Sequence, residues 1–281
     1  MIVKEIETKS YITKSNLPVS DYVINPYVGC PHACKYCYAS FMKRFTNHPE
    51  PWGEFIDIKR CNTPLNLKKL ENKRVFLSSV TDCYNSFEKE YEITRSILKE
   101  LVKVNCKLNI STKSSLILRD LDILKQMKDL EVSISINTID ESFKNDIDKA
   151  SSIEDRLNTL KTLKESGIRT ILFMSPIFPY ITDFKSIIEK SSSYVDEYWF
   201  ENLNLRVPYK TTILDYIKKN YPEYYSNYVD IYLKNDGTYW INLAREIDEY
   251  CIANNINFKN YFYHEKLVEE KKRREHEVIS S

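Results

Sequence analysis

The chain has 281 residues, of which 42% are hydrophobic and 29% are charged, the composition of an ordinary globular protein. Its 41 Lys and Arg residues almost balance its 40 Asp and Glu residues, so the overall charge does not indicate binding to nucleic acid or to an anionic membrane. The sequence shows no long apolar run and no basic-then-apolar start, and its seven cysteines are an odd number. We therefore expect a cytoplasmic protein with free thiols and no membrane span.

The first 205 residues show β-branched apolar runs that alternate with amphipathic stretches. This alternation predicts parallel strands joined by right-handed crossovers. Because six units are fewer than the eight of a closed TIM barrel, we predict an α/β fold built on a partial (β/α)6 TIM-like barrel. The predicted strands are Tyr22–Val28, Arg74–Val80, Lys107–Ser111, Val132–Asn137, Arg169–Met174 and Glu197–Glu201, and the predicted helices are Lys35–Arg44, Glu88–Val104, Leu121–Lys128, Ile153–Ser166 and Phe184–Ser191.

The pattern changes near residue 208 to a tyrosine-rich stretch with helical periodicity. We therefore predict a barrel domain over residues 16–207 and a mainly helical C-terminal extension over residues 208–281. The tyrosines could stack on unpaired bases, but no basic patch accompanies them, so helix packing is the favoured interpretation. The mixed-charge segment 269–277 is predicted to be a solvated helix end.

Three cysteines follow the first predicted strand with the spacing C-x3-C-x2-C: Cys30, Cys34 and Cys37. Free cysteine is a common core residue, so a chance grouping is the simplest interpretation. Gly29 and Pro31 argue against it, because they place the cysteines on a turn where side chains can converge. The spacing therefore indicates a metal site.

Two kinds of metal site remain open from the residues alone. A zinc site would take its fourth ligand from His32, Cys61 or Cys83, but the sequence has no second C-x2-C pair. A 4Fe–4S cluster held by three thiolates, with one iron left open, suits both the spacing and the loop position. The cluster is favoured, and zinc is the alternative.

The string Cys30-x3-Cys34-x-Tyr36-Cys37 resembles the signature of the radical S-adenosylmethionine (SAM) superfamily. The longer run from Asn25 to Ala39 is similar to the branch related to spore photoproduct lyase, including small proteins encoded as pairs on mobile elements. The resemblance covers about residues 20–205. Other segments match this branch in the same order: Ser79–Tyr84, Tyr91–Arg95, Thr112–Asp120 and Ser133–Thr138.

The resemblance implies one 4Fe–4S cluster per chain and SAM bound at the open iron. It implies that an electron from the reduced cluster cleaves SAM to a 5′-deoxyadenosyl radical, which abstracts hydrogen from a substrate. An electron donor such as flavodoxin or ferredoxin is then required, and a paired radical SAM protein and a nucleic acid substrate are further partners that this branch suggests.

The resemblance also gives provisional roles to residues outside the cysteine motif. Tyr36 would pack near the adenine, Tyr38 would contact the nucleoside, and Lys113 would hold the methionyl carboxylate. The remaining cofactor contacts would come from strand ends: the end that carries Ser79, Thr81 and Asp82 beside the amino group, Ser135 and Asn137 facing the ribose, and Ser175 beside the adenine.

Cys83 stands where the branch usually has proline. A thiol there could donate a hydrogen atom to a product radical, as in spore photoproduct lyase, so Cys83 is a hydrogen-donor candidate. A buried, inert cysteine is the favoured alternative, because free cysteine is so often a core residue.

The main functional hypothesis is a radical SAM enzyme whose specific reaction and substrate the sequence leaves open. The first alternative is a non-catalytic iron–sulfur protein that transfers electrons or acts as a scaffold for a partner. The second is a zinc-stabilised binding module. Iron content and SAM cleavage distinguish the three.

Overall fold

The computed structural model describes residues 1–205 and 209–262. These residues form a mixed α/β structure with two sheets. The strands are β1 (Ile2–Glu7), β2 (Ile12–Lys14), β3 (Tyr22–Ile24), β4 (Tyr27–Gly29), β5 (Phe55–Arg60), β6 (Arg74–Leu77), β7 (Lys107–Thr112), β8 (Asp129–Ser135), β9 (Arg169–Ile177), β10 (Glu197–Asn202) and β11 (Phe258–Asn260).

The larger sheet has the strand order β11-β10-β9-β8-β7-β6-β3-β2. Its neighbouring strands are parallel from β3 to β11, and only the edge strand β2 runs antiparallel, against β3. The six strands predicted from the sequence correspond to β3 and β6 to β10. The prediction of a partial TIM-like barrel is therefore confirmed.

Helices connect the parallel strands and bury one face against the sheet. In the crossover helix between β8 and β9, Ile153, Leu160 and Leu163 are buried, as the apolar spacing predicts. The α-helices of the described residues are α1 (Glu88–Tyr91), α2 (Ile93–Leu101), α3 (Leu121–Leu124), α4 (Glu141–Ile147), α5 (Ile153–Glu165), α6 (Phe184–Ser191), α7 (Tyr209–Asn220), α8 (Tyr225–Tyr232) and α9 (Thr238–Ala253).

Two predicted helices differ from those observed. The segment predicted as a helix over Lys35–Arg44 is a 3₁₀ helix over Tyr38–Phe45. The predicted helix Glu88–Val104 breaks into α1 and α2 at Glu92, whose φ is +47°. The buried Glu88 carboxylate explains the break, because it accepts hydrogen bonds from the backbone N–H groups of Thr94 and Arg95 and so caps α2.

The predicted strand Tyr22–Val28 divides into β3 and β4, which belong to different sheets. Pro26 has no N–H, and the Asn25 side chain instead bonds the Ser79 hydroxyl at 2.8 Å and the Val80 N–H at 3.1 Å. The redirected strand β4 pairs with β5, which also pairs with β1. This three-stranded sheet, absent from the sequence prediction, supports the segment that leads directly into the first cysteine.

The N-terminal ends of the large sheet are joined by alternating charges on successive strands. Glu131 lies 3.0 Å from Lys107 and 3.2 Å from Arg169. Glu197 continues the series, 2.6 Å from Arg169 and 2.8 Å from Lys259. These ion pairs occupy one edge of the barrel, while the opposite, carboxyl edge opens into a cavity.

The C-terminal part is mostly helical, as predicted, but it also returns a strand to the sheet. After α7, α8 and α9, strand β11 pairs in parallel with β10. The predicted domain boundary between residues 207 and 208 and the predicted charged tail lie outside the described residues. Across the described part of the chain, no helix has both the length and the apolarity needed to cross a membrane.

Candidate active site at the carboxyl ends of the strands

A cavity of about 320 Å³ lies at the carboxyl ends of the parallel strands. This edge of a β/α barrel is where side chains from several strands converge and where active sites form. Ten of the twelve site residues predicted from the sequence line this cavity: Cys30, Cys34, Tyr36, Cys37, Tyr38, Ser79, Thr81, Lys113, Ser135 and Ser175.

The loop carrying the three cysteines has a conformation that its small residues permit. Gly29 has a φ of +85°, and a Cβ there would collide with the carbonyl oxygen of Phe55. Ala33 also has a positive φ, of +47°. The loop is fastened to the C-terminal end of α4, because Lys35 donates its N–H to the Ile147 carbonyl at 2.9 Å.

The three cysteines are free thiols, with Cys30 buried and Cys34 and Cys37 half-buried. Burial raises the pKa of all three; for Cys34 it outweighs the opposing charge of Lys113 and raises the pKa to about 12. Thiolates at these positions therefore need a further positive charge, and a bound metal centre supplies it.

Within residues 1–205 and 209–262, no three Cys, His, Asp or Glu side chains converge as ligands of one metal ion. A 4Fe–4S cluster does not require such convergence, since each thiolate binds its own iron. Three free cysteines on one loop, all lining the same cavity, fit a cluster with one iron left open.

The position of Tyr36 is fixed by a buried ion pair between Asp148 and Arg156. Its hydroxyl donates to Asp148 at 3.2 Å, and Asp148 contacts Arg156 at 2.6 Å. Arg156, only 1% exposed, also donates to the Ser135 carbonyl at 3.2 Å. This chain links the cysteine loop to the end of β8.

Lys113 follows the end of β7 and extends toward the cysteines. Its ammonium nitrogen lies 5.8 Å from the centroid of the Tyr36 ring. Its charge favours the thiolate forms of Cys34 and Cys37 and so lowers both pKa values against the effect of burial. A cation at this position can also bind a carboxylate within the cavity.

The hydroxyl groups at the end of β6 are already engaged within the protein. Ser79 accepts a hydrogen bond from the Asn25 amide, and Thr81 donates to the Gly29 carbonyl at 2.7 Å. Tyr38, which is 53% exposed, donates to the Ser79 carbonyl. These residues therefore shape the cavity wall and tie β6 to the cysteine loop.

Two predicted site residues do not line the cavity. Asn137 is buried and donates its amide to the Pro176 carbonyl at 3.1 Å, so it supports the end of β9, the strand that carries Ser175. Cys83 is fully buried in the core, where burial raises its pKa well above the usual range. This placement does not favour the hydrogen-donor role and agrees with the alternative of an inert core cysteine.

The end of the cavity away from the cysteines is an aromatic wall that the sequence did not reveal. Trp199 meets Phe173 edge to face at 5.7 Å between ring centroids, and Tyr261 at 5.6 Å. Glu201 lies beside this wall and accepts a hydrogen bond from Ser175. The only sequence signal for this end was the polar run at the end of β10, which includes Glu201.

His32 and Asp82 also line the cavity, and sequence reasoning gave neither its present role. His32 appeared as a candidate zinc ligand, but its ring lies 3.1 Å from the Asp82 carboxylate. Burial alone would raise the pKa of Asp82, but His32 and hydrogen bonds from Lys113 and Thr112 outweigh it and lower the pKa to about 2. Asp82 is therefore an ionised, fully engaged side chain.

Comparison with known families and sequences gives a consistent result. The family model described as the radical SAM superfamily matches residues 24–189. An uncharacterized protein of Methanocaldococcus jannaschii is 40% identical over 222 residues, which are 79% of this chain and 84% of that protein. An uncharacterized protein of Acidianus two-tailed virus is 34% identical over 172 residues, covering 56% of each chain.

Solved structures show the same fold at low sequence identity. Spore photoproduct lyase complexed with a dinucleoside spore photoproduct aligns with a TM-score of 0.58 and 17% identity, over 79% of this chain and 66% of the lyase chain. Streptococcus suis SuiB bound to SAM aligns with a TM-score of 0.56 and 17% identity, over 85% of this chain and 49% of that one. The chain therefore spans only part of each of these larger proteins.

Proposed function

The chain belongs to the radical SAM superfamily and is a radical SAM enzyme, and we propose that Cys30, Cys34 and Cys37 hold one 4Fe–4S cluster with SAM at its open iron. The observation that carries the proposal is the shared cavity. The three cysteines and Tyr36 lie on one loop and Lys113 follows β7, yet all five line one space at the carboxyl ends of the strands.

A cluster held by the three cysteines would supply the electron for the reductive cleavage of SAM. The protein residues bind and orient. The Lys113 ammonium would pair with the methionyl carboxylate, and its position 5.8 Å from the centroid of the Tyr36 ring supports this role. The Tyr36 ring, held by Asp148, offers an apolar face for the adenine.

The rest of the cavity positions the substrate and excludes water from the radical. We propose that a nucleic acid or nucleotide is the substrate class. The aromatic wall of Phe173, Trp199 and Tyr261 supports this proposal, because such rings pack against planar bases. The fold likeness to a lyase solved with a dinucleoside points the same way.

Reduction of the cluster requires an external electron donor, and a flavodoxin or ferredoxin is the class that we propose. A second radical SAM protein acting as a pair with this one is a further proposed partner. A pull-down of the anaerobically purified, cluster-loaded protein would test both proposals. Recovery of neither class in binding assays at micromolar concentrations would contradict them.

The cluster proposal is tested by anaerobic reconstitution, with iron and zinc measured by mass spectrometry. We expect about four irons per chain. The dithionite-reduced protein should give an electron paramagnetic resonance signal that changes when SAM is added. Zinc in place of iron would support the zinc-stabilised module, and an iron signal indifferent to SAM would support the electron-transfer scaffold.

The substrate proposal requires a separate measurement. Deuterated DNA, deuterated RNA and a deuterated peptide library are each incubated with the reduced enzyme and SAM, and the mass of the 5′-deoxyadenosine formed is determined. Deuterium transferred from a nucleic acid supports the proposal. Transfer only from peptides would contradict the substrate class and leave the radical SAM assignment intact.

A further inference from the structure

Asp82 is a buried carboxylate surrounded by donors from three segments of the chain. We propose that it is a positioning residue, which fixes the cysteine loop relative to Lys113 through His32 on one side and β7 on the other. The inference rests on the proposed function, since it concerns how the cluster ligands and the SAM-binding lysine keep their relative positions.

Both oxygens of Asp82 have partners within the protein. One accepts hydrogen bonds from the Thr112 hydroxyl at 2.7 Å and from the Tyr84 N–H at 2.9 Å. The other accepts from the Lys113 N–H at 2.8 Å and lies 3.1 Å from the His32 ring nitrogen. Of the about four acceptor positions of a carboxylate, three take these hydrogen bonds, and the His32 ring nitrogen contacts Asp82 as an ion pair without hydrogen-bond geometry.

His32 transmits this anchor to the cysteines. Its carbonyl accepts the N–H of Lys149 at 2.7 Å, beyond the end of α4. The next residue, Ala33, donates its N–H to the Cys30 carbonyl at 3.2 Å and closes the turn that contains His32. The contact with Asp82 therefore restrains the side chain of His32, whose main chain is tied to Cys30, the first cluster ligand. Loss of this contact would loosen the cysteine loop without removing a cluster ligand.

On the other side, Asp82 fixes the start of the Lys113 segment. The Lys113 N–H is held directly, and Thr112, the last residue of β7, is held through its hydroxyl. The Thr112 hydroxyl also accepts a hydrogen bond from the Ser114 N–H at 3.0 Å. The backbone of residues 112–114 therefore turns around the Thr112 hydroxyl. One carboxylate thus sets the distance between the lysine and the cysteine loop.

The test compares His32→Phe with His32→Gln, because a Gln amide can replace the ring N–H and a Phe ring cannot. The dissociation constant for SAM is measured anaerobically on cluster-loaded protein, and amide hydrogen exchange of residues 30–37 is measured on metal-free protein. We expect His32→Phe to weaken SAM binding about tenfold and to speed exchange, and His32→Gln to restore both. Thr112→Val, which removes a donor on the β7 side, should weaken SAM binding about fivefold.

The matched control is His48→Phe. His48 also lies buried beside a carboxylate, 2.7 Å from Asp57, but neither residue lines the cavity. This variant should leave SAM affinity and loop exchange as in the wild type. Equal SAM affinity in wild type, His32→Phe and Thr112→Val would overturn the inference, as would a Gln variant as weak as the Phe variant. If His32→Phe does not fold, the SAM affinity of Thr112→Val decides. A reconstituted wild-type protein that contains no iron would instead overturn the proposed function.

Discussion

The two ends of the cavity are built in different ways. The cysteine end takes its three proposed metal ligands from eight consecutive residues, and polar contacts fasten this loop to α4 and to the segment after β6. The far end takes Phe173, Trp199 and Tyr261 from three separate strands or their ends. The comparison indicates that cofactor chemistry is fixed by a local motif, whereas substrate choice depends on strand register. Changes at the cysteine end should therefore remove the cluster or its SAM site, and changes at the far end should spare both.

The largest effect is expected from Cys34→Ala. Removal of one of three thiolate ligands should abolish the cluster, since the remaining two cannot hold it. Iron content and visible absorbance after anaerobic reconstitution measure the loss. The control is Cys61→Ala, a free cysteine that does not line the cavity. A Cys34→Ala protein that keeps its iron would show that Cys34 is not a ligand.

Arg156→Met should destabilise the cysteine end of the cavity, because Arg156 pairs with Asp148, which binds the Tyr36 hydroxyl. It leaves Asp148 as a buried charge without its cation, which typically costs about 3–5 kcal/mol. Urea unfolding of the metal-free protein gives the change in the free energy of unfolding. The control is Arg60→Met, whose exposed pair with Glu5 should contribute at most about 1 kcal/mol. Equal losses of unfolding free energy in the two variants would mean that the buried contacts from Arg156 through Asp148 to Tyr36 do not stabilise the fold.

Gly29→Ala tests the turn that leads into the cysteines. A side chain at a φ of +85°, facing the Phe55 carbonyl, should cost about 1–3 kcal/mol of stability and lower the iron content. Gly237→Ala is the matched control, because nothing lies within 4 Å of the added Cβ. Thermal unfolding and iron analysis of both proteins give the answer. A Gly29 variant as stable as its control would argue against strain at this turn.

The smallest effect on the cofactor is expected from Glu201→Gln at the far end. The cluster should be retained, and 5′-deoxyadenosine formation without substrate should stay within about twofold of the wild type. Substrate-dependent deuterium transfer should fall about tenfold, since the charged acceptor beside the aromatic wall becomes a neutral amide and its hydrogen bonds weaken. Glu223→Gln, at an exposed position outside the cavity, is the control. Loss of iron in the Glu201 variant would contradict the separation of the two ends.

The sequence predicted the parallel strands because apolar runs and helical periodicity are local signals. The division of Tyr22–Val28 could not be read in the same way. It depends on Asn25 bonding to Ser79 and Val80, which are distant in sequence. The break at Glu92 likewise depends on a buried carboxylate that only the tertiary structure turns toward α2.

In the functional site, too, only residues marked by a local sequence signal were predicted. The cysteines, Tyr36 and Lys113 were predicted because a motif or a strand end marks them. Asn137 was placed by extending strand alternation beyond β8, which ends at Ser135, and Cys83 was placed by its position in the family motif. Side chains alternate strictly only within a strand, so that extension fails in a turn. The aromatic wall was missed because its rings are ordinary core residues until the register brings them together.

The most direct test of the account is the formation of 5′-deoxyadenosine by the reconstituted protein. Dithionite and SAM are added anaerobically to the wild type and to Cys34→Ala, and methionine and 5′-deoxyadenosine are measured by mass spectrometry. The account predicts that the wild type forms both products together and that the variant forms neither above background. An iron-loaded wild type that forms no more 5′-deoxyadenosine than Cys34→Ala would contradict it.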